Sequence, residues 1–384
     1  MAIIDFKLST KIKFGIDSIE ECLCDTIKQY GGRVVIVTDG NSFNQIGVID
    51  RIVSKLEDNL MNVMVYSKVN SNSNSDESDI IANLVRYSKA ECIVAIGGFK
   101  VQNIAKGASV VVTNSGEASD YVSGQTVYHK PFPLISVPTI LGSLSEITTG
   151  MYLVDKYDGI CKESTDKNIY VSDSIIDPSL YTTVPVKYSI SSALSVFAMA
   201  FDLYMSNTLN DINAPIVKNA MNMSIKGLGK LILDSSNVDN ISNIAMANMM
   251  CAMASSNANL GALRALSIAI NNMYDVNKSI IASMLLPHIM EYYIPVVPDK
   301  YTILADFING VDPEMTPFEI ASQSGEYIKK LLHDLNLPRR LNEINIDRSK
   351  FNNVADIALT YSGMDKLPKA MTHDAITTIL DQAY

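Results

Sequence analysis

The sequence predicts an α/β domain built on a parallel sheet, followed by an all-helical domain. Three observations carry this. Over the first hundred residues, short Ile- and Val-rich runs alternate with stretches of helical apolar spacing, the pattern of strands covered by crossover helices. The run Cys92 to Ile96 is apolar throughout, as a strand buried on both faces must be, and it ends in Gly97-Gly98. From about residue 184 strand patterns cease and helical periodicity continues to the end. The domains are therefore expected at 1–183 and 184–384.

Residues 1–15 read as an extended lead-in ending at Gly15. Ile16, Ile19, Leu23 and Ile27 follow helical spacing, and Gly31-Gly32 closes that helix. Arg33 to Thr38 is a buried strand ending at Asp39-Gly40. A helix over 46–60, an apolar run from Met61 to Tyr66, a polar loop from Asn70 and a helix over 77–89 come next. Right-handed crossovers between parallel strands place the glycine turns along one edge of the sheet. Pro133 to Pro138 is another strand, leading into a turn rich in hydroxyls and glycine. Two β-segments, around 151–154 and 169–171, are expected on either side of Lys162, and Asp177-Pro178 marks a turn. Helices are then expected over 187–209, 213–233, 239–255, 259–273 and 277–291, with shorter ones at about 301–308, 316–334, 350–360 and 373–383. The many Met residues of this half read as core filler.

Composition narrows the function classes. With 384 residues, 47% of them hydrophobic, the chain has material for two sizeable cores. A net charge of −10 argues against nucleic acid as a partner. No apolar run is expected to span a bilayer, and no secretory leader is read at the N-terminus. Five scattered cysteines read as reduced thiols in a cytoplasmic protein. No two histidines stand close enough in sequence to suggest a metal pair.

The strand, glycine turn and helix around Gly97-Gly98 form a frequent phosphate cradle, because glycine admits close backbone approach and the helix start presents free N–H groups. An ordinary strand-to-helix turn has the same sequence. Gly97-Gly-Phe-Lys-Val-Gln-Asn-Ile-Ala-Lys106 resembles the G-G-G-S-P-x-D-x-A-K motif of the iron-containing (group III) alcohol dehydrogenases, which share the dehydroquinate synthase-like fold. Pro138-Thr-Ile-Leu-Gly-Ser-Leu-Ser-Glu146 resembles that family's P-T-T-x-G-T-G-S-E. Asn257-Ala-Asn-Leu-Gly-Ala-Leu-Arg264 resembles N-A-x-L-G-x-x-H, and Leu285-Leu-Pro-His-Ile-Met290 is nearly identical to the family's version. The order and spacing of these motifs cover nearly the whole chain.

The resemblance implies a Rossmann-like dinucleotide domain, NAD as cofactor, a small carbonyl or alcohol substrate, and a homodimer or larger oligomer. It assigns Asp39 to the adenosine ribose, where a carboxylate bonds a 2′-hydroxyl and repels a 2′-phosphate; the alternative is a plain turn aspartate. Gly97 and Gly98 become the pyrophosphate turn. Lys100 either adds charge there or points to solvent. Thr139 and Ser143 fall on the second cofactor loop, and Lys162 matches a lysine near the family's cleft.

The departures are as informative. The family's metal is held by an Asp, a His four residues later and two further His. Those positions correspond to Ser195, Met199, Arg264 and Lys278. A second family His, thought to relay protons, corresponds to Ile268. Arginine and lysine offer a cation no lone pair and repel it, so no metal is expected. Phe99 replaces the third glycine of the turn. Two functions are consistent with these residues. One is a metal-independent NAD-linked oxidoreductase in which Lys162, Arg264 and Lys278 polarise the oxygen of a small, anionic substrate. The other is a catalytically silent paralogue that binds a ligand or a partner subunit.

Overall fold

The computed structural model describes the chain except residues 1–3, 5, 41–44, 70–72 and 309. The start of the polar run at Asn70 therefore lies outside the described residues. The chain divides into two compact units, Phe6–Pro185 with Ser235–Ala245, and Val186–Asp234 with Met246–Tyr384.

The first unit opens with β1 (Lys11–Phe14), α1 (Ser18–Lys28), β2 (Arg33–Thr38), α2 (Gln45–Asp58) and β3 (Asn62–Tyr66). Next come α3 (Ser75–Ser88), β4 (Cys92–Gly97), α4 (Phe99–Thr113), α5 (Ala118–Val122) and β5 (Leu134–Pro138). It closes with β6 (Met151–Val154), β7 (Cys161–Ser164), β8 (Asp173–Ile176) and α6 (Pro178–Tyr181). Six strands form one parallel sheet in the order β1-β8-β5-β4-β2-β3. The central strands alternate between two cores. Val35, Val37, Ile93 and Ala95 pack under α3, α4 and α5. Val34, Ile36, Cys92, Val94 and Ile96 pack under α1 and α2. Burial on both faces explains why these strands read as unbroken apolar runs.

Two expectations need correction. Lys162 does not sit between strands but inside β7, which pairs antiparallel with β6. The stretch 169–171 is not a strand. Ile169 and Val171 are apolar because they fill the core under α4, and the sheet strand begins at Asp173.

The second unit is helical: α7 (Val186–Met205), α8 (Asn213–Leu233), α9 (Val238–Ser255), α10 (Ala262–Tyr274), α11 (Lys278–Tyr293), α12 (Pro317–Asp334), α13 (Phe351–Leu359) and α14 (His373–Gln382). The first part of α9 groups with the other unit. Among the described residues α7 is long and apolar enough to cross a bilayer, contrary to the expectation that no run would be; 83% of its apolar window is buried inside the protein, the situation of a core helix.

Candidate nucleotide turn and cation pair

The strand order of the first unit fixes where a ligand can enter. From β2 the chain steps outward to β3, then returns past β2 to β4 and continues the other way to β5. The order reverses between β2 and β4, and open parallel sheets bind ligands beyond the carboxyl ends of strands at such a reversal. Register brings the predicted residues there. Thr38 pairs with Ile96, and Gly97 with Pro138. Asp39, Gly97-Gly98 and Thr139 thus leave three neighbouring strands at one level.

The turn itself is tight. A Cβ on Gly97 would lie 2.5 Å from Val101, and one on Gly98 would lie 2.8 Å from Ile140. Both glycines are therefore demanded by packing of the turn, quite apart from any ligand. Gly98 caps α4 with no side-chain hydrogen bond to the helix start. Lys100 is half-buried in the first turn. Phe99 does not stand over the turn. Its ring is 9% exposed and meets the Tyr152 ring at a centroid distance of 5.7 Å. Thr139 and Ser143 are buried. Asp39 is half-buried.

Three side chains of α4, missed in the sequence, hold this region. Gln102 donates to the carbonyls of Ala95 and Gly97 and accepts from Ser136 Oγ at 2.7 Å. Asn103 donates to the Phe99 carbonyl at 2.7 Å and to Ser145 Oγ at 3.1 Å, and accepts from the Tyr152 N–H at 2.9 Å. The Lys106 ammonium donates to the carbonyls of Thr148 and Gly150 at 2.7 and 2.9 Å. All three are buried. Their signal in the sequence was polarity on a helix whose neighbours are apolar; their partners lie up to 49 residues away.

Lys162 stands on the β6–β7 hairpin with its ammonium 2.5 Å from Asp155 and 2.8 Å from Asp158. Those two carboxylates raise its pKa. Burial pushes Asp155 up, but hydrogen bonds from Lys162 and the Tyr157 backbone outweigh it and hold the carboxyl low.

In the helical unit, Ser195 and Met199 lie one turn apart on α7 and are both buried. Arg264 is the third residue of α10 and Lys278 the first of α11. The three helices pack against one another, and Ser283 on α11 donates to the Ser191 carbonyl on α7 at 3.2 Å. Arg264 is 3% exposed and Lys278 is half-buried. Both cations occupy the first turn of a helix, the end where the dipole disfavours positive charge. Asp202, absent from the sequence expectations, answers this for α10. Its carboxylate accepts from the N–H groups of Gly261 at 2.7 Å, Leu263 at 3.3 Å and Arg264 at 3.1 Å. Burial raises its pKa to about 6, opposed by these N–H groups and by the Arg264 charge. Among the described residues no group of three or more His, Cys, Asp and Glu side chains is placed to hold a metal ion.

The profile of the iron-containing alcohol dehydrogenases matches residues 9–178, and that of the family's C-terminal domain matches residues 189–384. The chain belongs to the iron-containing alcohol dehydrogenase family. A 1,3-propanediol dehydrogenase of Citrobacter freundii is 24% identical over 357 residues, 92% of each chain. An alcohol dehydrogenase from Oenococcus oeni has the same fold, with a TM-score of 0.93 at 23% identity over the full length of both chains. A sulfoacetaldehyde reductase from Bifidobacterium kashiwanohense, solved in complex with NAD+, superposes with a TM-score of 0.84 at 19% identity, covering 100% of this chain and 99% of the other. The dehydroquinate synthase-like fold expected from the motifs is therefore established. The positions expected from the sequence motifs to correspond to the family's metal ligands are Ser195, Met199, Arg264 and Lys278. That donor set does not fit a divalent cation, since a hydroxyl and a thioether are weak ligands and the two cations repel it.

Proposed function

We propose that the protein is an NAD(H)-linked, alcohol dehydrogenase-like oxidoreductase that acts without a metal on a small carbonyl or alcohol bearing an anionic group. The observation that carries this reading is the row of Asp39, Gly97-Gly98 and Thr139 at the reversal of strand order. Asp39 is the group that selects a free ribose 2′-hydroxyl, and the glycine turn at the start of α4, with Lys100, receives the pyrophosphate. Ser143 adds a hydroxyl from the second loop. The fit is supported by the curated relatives, which are named as dehydrogenases, and by the NAD+ complex of the sulfoacetaldehyde reductase.

When bound, the nicotinamide supplies or accepts the hydride. The chain's own contribution is positive charge. Arg264 and Lys278 stabilise the negative charge that builds on the substrate oxygen, as a metal does elsewhere in the family. Their positions support this: a cation in the first helical turn costs about 0.3–1 kcal/mol, so helix stability does not select either residue. Lys162 is proposed with them, with a weaker pull on a further anion because Asp155 and Asp158 already share its charge. The name of the sulfoacetaldehyde reductase, a neighbour acting on an anionic aldehyde, supports that substrate class.

Titration with NADH, followed by its fluorescence, tests the reading. Saturation below about 1 mM is expected, within the usual range for such ligands. Absence of saturation there removes NAD from the proposal. It would leave the second reading, a silent homologue that binds an anion or a partner subunit. Ser195 and Met199, buried at positions that the motifs align with two of the family's metal ligands, favour that alternative. A homodimer or larger oligomer is proposed in either case, and light scattering checks it.

A further inference from the structure

We infer that Asn103 is a positioning residue for the dinucleotide, setting the second loop and the β6–β7 hairpin against the glycine turn; this rests on the NAD reading above. Its amide occupies a junction of three segments. Nδ2 reaches the Phe99 carbonyl and Ser145 Oγ, and Oδ1 receives the Tyr152 N–H. One buried side chain thus ties the start of α4, the loop that carries Ser143, and the strand β6. The loop's backbone is held at its two ends: the Thr139 N–H meets the Gly97 carbonyl at 3.4 Å, and the Thr148 and Gly150 carbonyls accept from Lys106 at 2.7 and 2.9 Å; Asn103 ties its middle through Ser145.

The tie extends into the hairpin. Tyr152 packs its ring at a tilt against Phe99, donates its hydroxyl to Glu163 at 2.5 Å, and lies across from Glu163 in the register that also sets Leu153 opposite Lys162. Asn103 does not itself shape the glycine turn, where Gln102 holds the end of β4. Losing Asn103 therefore loosens the second loop and the hairpin, where the NAD reading above puts the nicotinamide, and leaves the Gln102 ties at the end of β4 in place. The adenosine and pyrophosphate half of the cofactor and the whole cofactor should respond differently.

The test compares ADP and NADH binding to wild type, Asn103→Ala and Asn103→Asp. For Asn103→Ala, NADH affinity is expected to fall about tenfold or more, the scale of one lost buried hydrogen bond, with ADP affinity held within about twofold. Asn103→Asp keeps an acceptor for the Tyr152 N–H but sets a carboxylate oxygen against the Phe99 carbonyl at 2.7 Å, so it should recover little of the NADH affinity while leaving ADP affinity within about twofold. Equal loss of ADP and NADH, or no loss of either, overturns the inference. If wild type binds neither nucleotide, the NAD reading fails and amide hydrogen exchange decides the rest. Faster exchange across 139–154 in Asn103→Ala, with α4 unchanged, upholds the positioning role; unchanged exchange overturns it. Should Asn103→Ala fail to fold, Ser145→Ala, which removes one bond only, takes its place in each comparison, and the same outcomes uphold or overturn the inference.

Discussion

The Asp202 carboxylate on α7 accepts a hydrogen bond from the backbone N–H of Arg264 on α10 at 3.1 Å. The helix is thus capped by a neighbour rather than by its own N-cap residue, Gly261, which has no side chain to offer. A Cβ there would crowd the cap, lying 3.1 Å from Asp202 Oδ1 and 2.7 Å from a Leu367 methyl.

This cap has a pH signature. Burial raises Asp202 from 3.8 to about 6, so the folded state favours the neutral acid. Its contribution to stability is fully present below about pH 4 and is lost as pH rises through about 6. The rise corresponds to about 3 kcal/mol. Chemical denaturation of wild type and Asp202→Asn at pH 4.5 and 7.5 should show the variant gaining on wild type at the higher pH. Asp202→Ala, which strips three N–H groups of their acceptor, should lose about 2–3 kcal/mol. A variant difference independent of pH refutes the titration.

Asp39 should make the protein prefer NADH to NADPH, because a carboxylate repels a 2′-phosphate. Asp39→Gly is expected to narrow that preference, read as the ratio of the two dissociation constants. A wild type that prefers NADPH refutes the assignment.

Phe99→Gly should not relieve a blocked turn. The ring is packed inward against Tyr152, so its removal leaves a void and a flexible first helical residue. Stability should fall by about 3–5 kcal/mol, and NADH should bind more weakly. Tighter binding at undiminished melting temperature would show that the ring obstructs the ligand.

Purified protein is expected to carry no stoichiometric iron or zinc, and added metal should leave NADH binding unchanged. Arg264 and Lys278 each oppose a divalent ion, by roughly 4 kcal/mol per unit charge at 4 Å in a partly shielded site. Elemental analysis after mild chelation checks this. One tightly held transition metal per chain would mean that the ligand positions have been misassigned.

The fold was legible wherever burial dictates composition. The strands at 33–38, 92–97 and 134–138 read plainly because both of their faces are covered. By contrast, β1 was folded into an extended lead-in, since Lys11-Ile-Lys-Phe14 lies at the edge of the sheet, where Lys11 is exposed and Lys13 turns to Thr26 and Asp173. The β8 position was missed because apolar residues at 169 and 171 serve the core without joining the ladder. For the candidate site, the motifs led to Gly97, Gly98, Asp39, Arg264 and Lys278. They did not lead to Asn103, Lys106 or Asp202. Asn103 and Lys106 lie within the glycine-turn motif, but the motif does not say what they hold, because these residues and Asp202 have partners 42 to 62 positions away.

The pairing of β1 with β8 joins Lys11 to Asp173, and the Asp177 carboxylate accepts from the N–H groups of Asp17 and Ile19. On the ribosome, one edge strand must therefore wait for its partner to be synthesised. At roughly 5–20 residues per second the delay is about 10–30 s, far longer than helices or local turns need to form. In the last part of that interval, between the synthesis of β5 (Leu134–Pro138) and that of β8 (Asp173–Ile176), the edge of β5 that β8 will cover has no strand against it. Nascent chains stalled before residue 170 should consequently engage chaperones, and release should coincide with the emergence of Asp173 to Asp177.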